Sequence, residues 1–95
     1  MLNRITYLVT AQNHPDVLPR TVMLLHRLAV PIDALRVERP GNSPLLELTI
    51  EAEVIAGQAD HIAENLMKIV YVMSVKKSRR PKHRSSLAKV RSRKR

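Results

Sequence analysis

The order of the hydrophobic patterns along this chain constrains its fold more than any other feature. Residues 5 to 12 alternate between apolar and polar side chains, which is typical of a strand. Residues 15 to 29 carry apolar side chains at spacings of three, four and seven, which predicts an amphipathic helix. Pro31 ends that helix, because the residue before a proline disfavours helical geometry. Residues 32 to 39 then predict a second strand.

The second half of the chain repeats this succession. Residues 40 to 44, PGNSP, predict a turn, and residues 46 to 52 alternate cleanly enough to predict a strand with an acidic outer face. Gly57 precedes a second helical pattern over residues 59 to 68, with its acids near the start as the helix dipole favours. Residues 70 to 75 predict a last, rather hydrophobic strand.

The predicted fold class is therefore α+β, with the order β-α-β-β-α-β. With right-handed crossovers and a hairpin between the middle strands, this order gives a four-stranded antiparallel sheet with two helices on one face. This is the ferredoxin-like arrangement. We expect Leu8, Tyr71 and Met73 to point away from the helices. An apolar outer face of that kind would be covered by a second copy of the chain.

Length and composition limit the class of protein. A chain of 95 residues holds one small domain, which must build an aliphatic core because it has no Phe or Trp. Without cysteine it can form neither disulfides nor thiolate sites. No apolar run reaches the roughly 20 residues of a membrane span, and no signal peptide is evident. These features predict a soluble, cytoplasmic protein.

Charge divides the chain into two parts. Residues 1 to 75 carry six Lys or Arg against eight acids, whereas the segment from Lys76 onward carries eleven Lys or Arg and no acid. We predict a folded domain over residues 1 to 76 and a disordered basic tail over residues 77 to 95. The tail lacks aromatic residues for base stacking, so we expect it to contact nucleic acid or another polyanion without sequence specificity. The candidate contacts are Lys76, Lys77, Arg79, Arg80, Lys82, Arg84, Lys89, Arg91, Arg93, Lys94 and Arg95.

Nothing in the sequence indicates catalysis. The serines have no neighbouring base, and the glutamates of residues 47 to 53 alternate as a solvated strand face does. The histidines show no ligand-like spacing, so we expect no metal and no cofactor. These histidines are His14, His26, His61 and His83. The sequence thus predicts a protein that is not an enzyme.

Three segments in register resemble a known family. They are NHPDVL at the first strand-to-helix turn, VPIDALRVER at the second strand, and ENLMKIVYVMSV from the second helix into the last strand. They look like the ACT domain, and most like the version in the small regulatory subunit of acetolactate synthase. That family has Asn-x-Pro-Gly-Val-Leu, Asn-Ile-Asp/Glu-Ser-Leu and Lys-Leu-Val-Asp-Val at these places. The resemblance covers about residues 4 to 75.

The resemblance implies a regulatory function. ACT domains do no chemistry, pair side by side, and bind a branched-chain amino acid, typically valine, at the interface of two copies. It therefore implies a homodimer that partners the acetolactate synthase catalytic subunit in branched-chain amino acid biosynthesis. Two alternatives stay open: a stand-alone amino-acid-sensing ACT protein, and a basic nucleic-acid-associated protein that uses the fold to dimerise.

The resemblance also implies a set of effector-binding residues. The turn asparagine of the family corresponds to Asn13, the amides behind the turn belong to Val17 and Leu18, and two positions depart from the pattern. Asp16 stands where the family has glycine, and Pro31 stands where a neighbouring copy donates asparagine. A proline ring offers no side-chain hydrogen bond, and Asp16 is expected to cap the helix and fill the anion site with its own carboxylate. We expect valine binding to be weakened.

Overall fold

The computed structural model describes residues 2–79, which form six elements in the predicted order. The elements are β1 (Leu2–Gln12), α1 (Val17–Arg27), β2 (Ile32–Glu38), β3 (Leu45–Ile55), α2 (Ala59–Met67) and β4 (Val72–Ser78). Within these residues neither helix has the length and apolar character needed to cross a bilayer.

The strands form one sheet in the order β2-β3-β1-β4, and every neighbouring pair is antiparallel. β1 and β3 are the long central strands, with Tyr7 opposite Ile50 and Val9 opposite Leu48. The helix α1 connects β1 to β2 and passes over β3, and α2 connects β3 to β4 and passes over β1. The predicted ferredoxin-like fold is confirmed.

The core lies between the helices and one face of the sheet. Tyr7 and Val9 of β1 are fully buried there, together with Leu25 of α1 and Leu66 of α2. The Tyr7 hydroxyl donates a hydrogen bond of 3.0 Å to the carbonyl oxygen of Ala59, so the largest core side chain also fixes the start of α2. Burial, and then the charge of Asp60, raise the pKa of Tyr7 to about 12.

The other face of the sheet is polar rather than apolar, which corrects the expectation of an apolar outer face. Leu8 does lie there, but threonines flank it along β1 and Thr49 lies opposite it on β3. This open face also carries alternate glutamates of β3 and the end of β2. Its acids are Glu38, Glu47, Glu51 and Glu53.

Tyr71 departs from the expectation, because it packs against the core and β4 begins after it. Tyr71 has a φ of 77° and precedes the strand instead of belonging to it. The pairing register of β1 and β4 then shifts between Thr10 and Ala11, so that Val72 and Val75 both lie opposite residues that face the helices. The irregularity gives β4 two partly buried apolar side chains.

β4 also runs further than the sequence pattern predicted, to Ser78. Lys76 and Lys77 therefore belong to the sheet, with Lys76 opposite Leu8 on the open face. The Lys77 ammonium lies 2.9 Å from the carboxylate of Asp60 on the helix side. The remaining basic positions of the tail, from Arg80 to Arg95, lie outside the described residues.

Candidate functional site

The turn between β1 and α1 is tied to both of its neighbouring segments. The Asn13 amide donates to the carbonyl of Pro44 at 2.9 Å, which ties the turn to the start of β3. The Gln12 amide donates to the carbonyl of Tyr71, also at 2.9 Å. The exposed side chain of Asn13 is free to face a ligand, whereas that of Val17 is buried in the core.

Asp16 does not cap the helix with its side chain, and this corrects the expectation. No side-chain capping bond is formed at Asp16, whose backbone is already helical. Its carboxylate lies 3.8 Å from the Arg20 guanidinium and 3.9 Å from Nδ1 of His14. Because Asp16 begins α1 in a helical conformation, its side chain points along the helix surface rather than back over the first amides.

His14 occupies the amides that a ligand carboxylate would need. The Asp16 amide donates to Nδ1 of the His14 ring at 3.1 Å, and the Val17 amide donates to the His14 carbonyl at 3.1 Å. Pro19 has no amide hydrogen. Of residues 16 to 19, only Leu18 keeps an amide for a ligand, so the anion-binding capacity of this helix start is small.

The His14 ring is itself fixed by an aromatic contact. It stacks on Tyr71 with ring centroids 4.0 Å apart and an interplanar angle of 14°. Tyr71 has a φ of 77°. This left-handed backbone is unfavourable for residues other than glycine and persists only where contacts stabilise it. The sequence did not predict this contact, although the differences between NHPDVL and the family pattern lie in the same turn.

Pro31 lies away from the other predicted effector residues. It follows α1, whose 11 residues separate it from Val17 by a helix about 16 Å long. One copy of the chain therefore brings together Asn13, Asp16, Val17 and Leu18 but not Pro31. A site that uses all five positions requires two copies.

The edge strand β2 and the helix α1 both carry exposed apolar side chains. Leu35 and Val37 are opposite core residues of β3, yet they are 37% and 40% exposed because neither helix covers β2 fully. Leu18 and Val22 lie on the side of α1 that is turned away from α2, and each is 36% exposed. We call these four residues the edge surface.

No metal-binding cluster is assembled in residues 2–79. No three His, Asp or Glu side chains in this range converge in a way that could hold an ion. His61, for example, is engaged with Asn65 one turn later on α2.

Comparison with solved structures identifies the fold. The chain is similar to the ACT domain from GTP pyrophosphokinase of Chlorobium tepidum, with a TM-score of 0.71 and 8% identity over 82% of this chain and 100% of that one. The chain has the fold of an ACT domain. No family model and no curated protein matches the sequence.

Two further structures share the fold in different settings. The C-terminal domain of the MgtC protein from Mycobacterium tuberculosis has a TM-score of 0.67 and 12% identity over 85% of this chain and 90% of that one. A homoserine dehydrogenase from Thiobacillus denitrificans has a TM-score of 0.69 and 14% identity over 83% of this chain and 17% of that one. In these structures the fold is one domain of a larger protein.

Proposed function

We propose that this chain is a non-catalytic regulatory protein of the cytoplasm that dimerises side by side and partners the catalytic subunit of acetolactate synthase in branched-chain amino acid biosynthesis. The edge surface carries the proposal, because it is an apolar patch on α1 and on β2, the edge strand of an ACT fold. The resemblance of NHPDVL, VPIDALRVER and ENLMKIVYVMSV to the small regulatory subunit supports the choice of partner.

Two effects would stabilise a dimer that pairs through β2. The outer edge of β2 has backbone donors and acceptors that a second β2 can satisfy, extending the sheet across both copies. Burying Leu35 and Val37 at the same time removes exposed apolar area from water. The pairing also brings the segment containing Pro31, just before β2, to the interface, where the resemblance requires it.

The dimer is tested by Val37→Lys. A lysine there would place two charges in the apolar interface, so we expect the wild type to elute as a dimer and the variant as a monomer in light scattering coupled to size exclusion. Arg39→Gln, an exposed change just beyond β2, is the control and should leave the dimer intact. A monomeric wild type at high protein concentration would contradict the pairing.

Amino-acid sensing in this protein is weak on our proposal. The His14 ring and carbonyl accept the first amides of α1, and the Asp16 carboxylate repels an incoming one. Titration calorimetry should detect little or no heat from valine added to the wild type. Asp16→Gly combined with Pro31→Asn should gain detectable binding, and His14→Ala added to that pair should strengthen it. Tight binding by the wild type would refute this part of the proposal.

Co-purification tests the partner. A tagged full-length chain should retain the thiamine-dependent catalytic subunit when the two are co-expressed, and Arg39→Gln should retain it equally. A dimer that responds to an amino acid but never retains that subunit would favour the stand-alone sensor instead.

The eleven cations from Lys76 onward support a second candidate function, an association with nucleic acid in which the ACT fold serves to dimerise the chain. If all of them met phosphates, the logarithm of the affinity would fall with the logarithm of salt at a slope of roughly −10. Binding to a random-sequence duplex should then collapse between low and physiological salt. A slope near zero would exclude this mode.

A further inference from the structure

A groove between α1 and α2 lies on the helix side of the molecule, apart from the edge surface. Its volume is about 660 Å³, and apolar side chains from both sides line it, among them Pro19 and Met23 of α1 and Ile69 and Val70 after α2. Met23 and Val70 are 54% and 53% exposed. Such exposed apolar area at a concave place marks a contact surface more often than a solvated one.

Cations line the same groove. Arg20 and Arg27 of α1 lie along it, and Lys68 lies across from them at the end of α2. Within the described residues no carboxylate lies within ion-pair distance of Arg27 or Lys68, and Arg20 has only Asp16 at 3.8 Å. The groove therefore carries an excess of positive charge around an apolar floor.

We propose that this groove is a docking site for an acidic amphipathic helix of a partner protein. An apolar stripe on the partner would lie against Met23 and Val70. Arg20 and Arg27 are seven residues apart, which is two turns or about 10 Å along α1. Acidic residues seven apart on the docked helix have the same spacing and can meet both guanidinium groups. The proposal does not depend on the partner named above.

Charge excludes the occupants that this chain could supply itself. The tail has no acid between residues 76 and 95, so it would be repelled by Arg20, Arg27 and Lys68. A second copy that docked by the same groove would set these cations against their equivalents, which is destabilising for a symmetric contact. A partner of opposite charge is the occupant that remains.

The experiment uses the full chain and a fluorescently labelled peptide of about 18 residues, long enough to be helical, built from Leu, Ala and Glu with the leucines in one stripe. A peptide of the same composition with the stripe scrambled is the control for attraction to the basic tail. Fluorescence anisotropy should give a clearly higher affinity for the striped peptide. Equal affinity for both would overturn the proposal.

Variants locate the binding in the groove. Arg20→Gln and Arg27→Gln should each weaken the striped peptide about two- to five-fold, as expected for exposed ion pairs. Met23→Glu should weaken it about tenfold, because it puts an acid on the apolar floor. Arg39→Gln, remote from the groove, should change nothing. Unchanged affinity in all three groove variants would place the peptide elsewhere and refute the site.

Methionine methyl NMR gives a readout outside the tail, because residues 77 to 95 contain no methionine. The Met23 methyl signal should shift on addition of the striped peptide, whereas that of Met73 on β4 should not. Decanoate tests for a small anionic ligand instead. A Met23 shift with decanoate and none with the peptide would overturn the assignment to a helix, and concentration-dependent self-association that shifts Met23 would assign the groove to a second copy.

Discussion

Substitution of Tyr7 tests the packing of the core, because its hydroxyl both donates a hydrogen bond and has a raised pKa. Tyr7→Phe keeps the ring, which is fully buried, and removes the 3.0 Å bond to the Ala59 carbonyl. The net contribution of such a bond is about 0.5 to 1.5 kcal/mol. We therefore expect the variant to be less stable than the wild type by about this amount at pH 7.

The stability advantage of the wild type over Tyr7→Phe should shrink at high pH. The pKa of Tyr7 is raised to about 12 in the folded protein, against about 10 in an unfolded chain. Because the folded value is the higher one, the neutral phenol's contribution is complete below pH 10 and is lost as pH rises through 12. Two pKa units correspond to about 2 to 3 kcal/mol, which exceeds the hydrogen bond. The wild type loses this part of its unfolding free energy at high pH, whereas Tyr7→Phe does not, because phenylalanine has no ionisable hydroxyl.

Urea unfolding at a series of pH values up to about 11.5 measures the difference in unfolding free energy between the two proteins. That difference should shrink above pH 10 and approach zero or change sign. Tyr71→Phe is the matched control, since Tyr71 lies outside the buried core. A difference that stays constant from pH 7 to pH 11.5 would show that burial does not hold the Tyr7 phenol neutral, and would refute the reasoning.

Two further substitutions test local features by urea unfolding. The buried Thr6 hydroxyl has no hydrogen-bond partner among residues 2–79, so Thr6→Val should raise the unfolding free energy by about 1 kcal/mol; a loss would reveal a partner for that hydroxyl. Ala29 ends α1 with a φ of 59°, so Ala29→Gly should stabilise the protein by about 0.5 kcal/mol. Ala63→Gly inside α2 should instead cost about 1 kcal/mol, and equal effects at the two sites would contradict this explanation.

The sequence predicted the order of elements because each carries its own period. Residues 46, 48, 50 and 52 alternate with charged or polar residues, and the structure places all four toward the helices. The last strand was predicted, but its bounds and the facing of Tyr71 were wrong, because the register of β4 shifts opposite Thr10 and Ala11 and the backbone of Tyr71 is left-handed. The sequence does not reveal either feature, because both faces of a hydrophobic strand carry apolar residues and the pattern does not say which of them face the helices.

The interpretation of the turn was limited for a different reason. Residue types alone identify Asp16 as a good helix cap, but they do not say whether its backbone lies outside the helix, where capping is possible. The structure places Asp16 in helical geometry and lets His14 take the amides instead. The stack of His14 on Tyr71 joins residues 57 positions apart, which local patterns cannot anticipate.

The described surface separates by chemistry into three parts that suit different contacts. The edge surface, centred on Leu35 and Val37, is apolar and borders an open strand edge. The groove carries Arg20 and Arg27, and the open face of the sheet carries the glutamates of β3. Because pairing through β2 would extend one sheet across both copies, it leaves both grooves exposed on the helix side and both open faces on the other. One dimer could therefore hold two acidic helices at once, which would raise its avidity for a partner that presents two such helices.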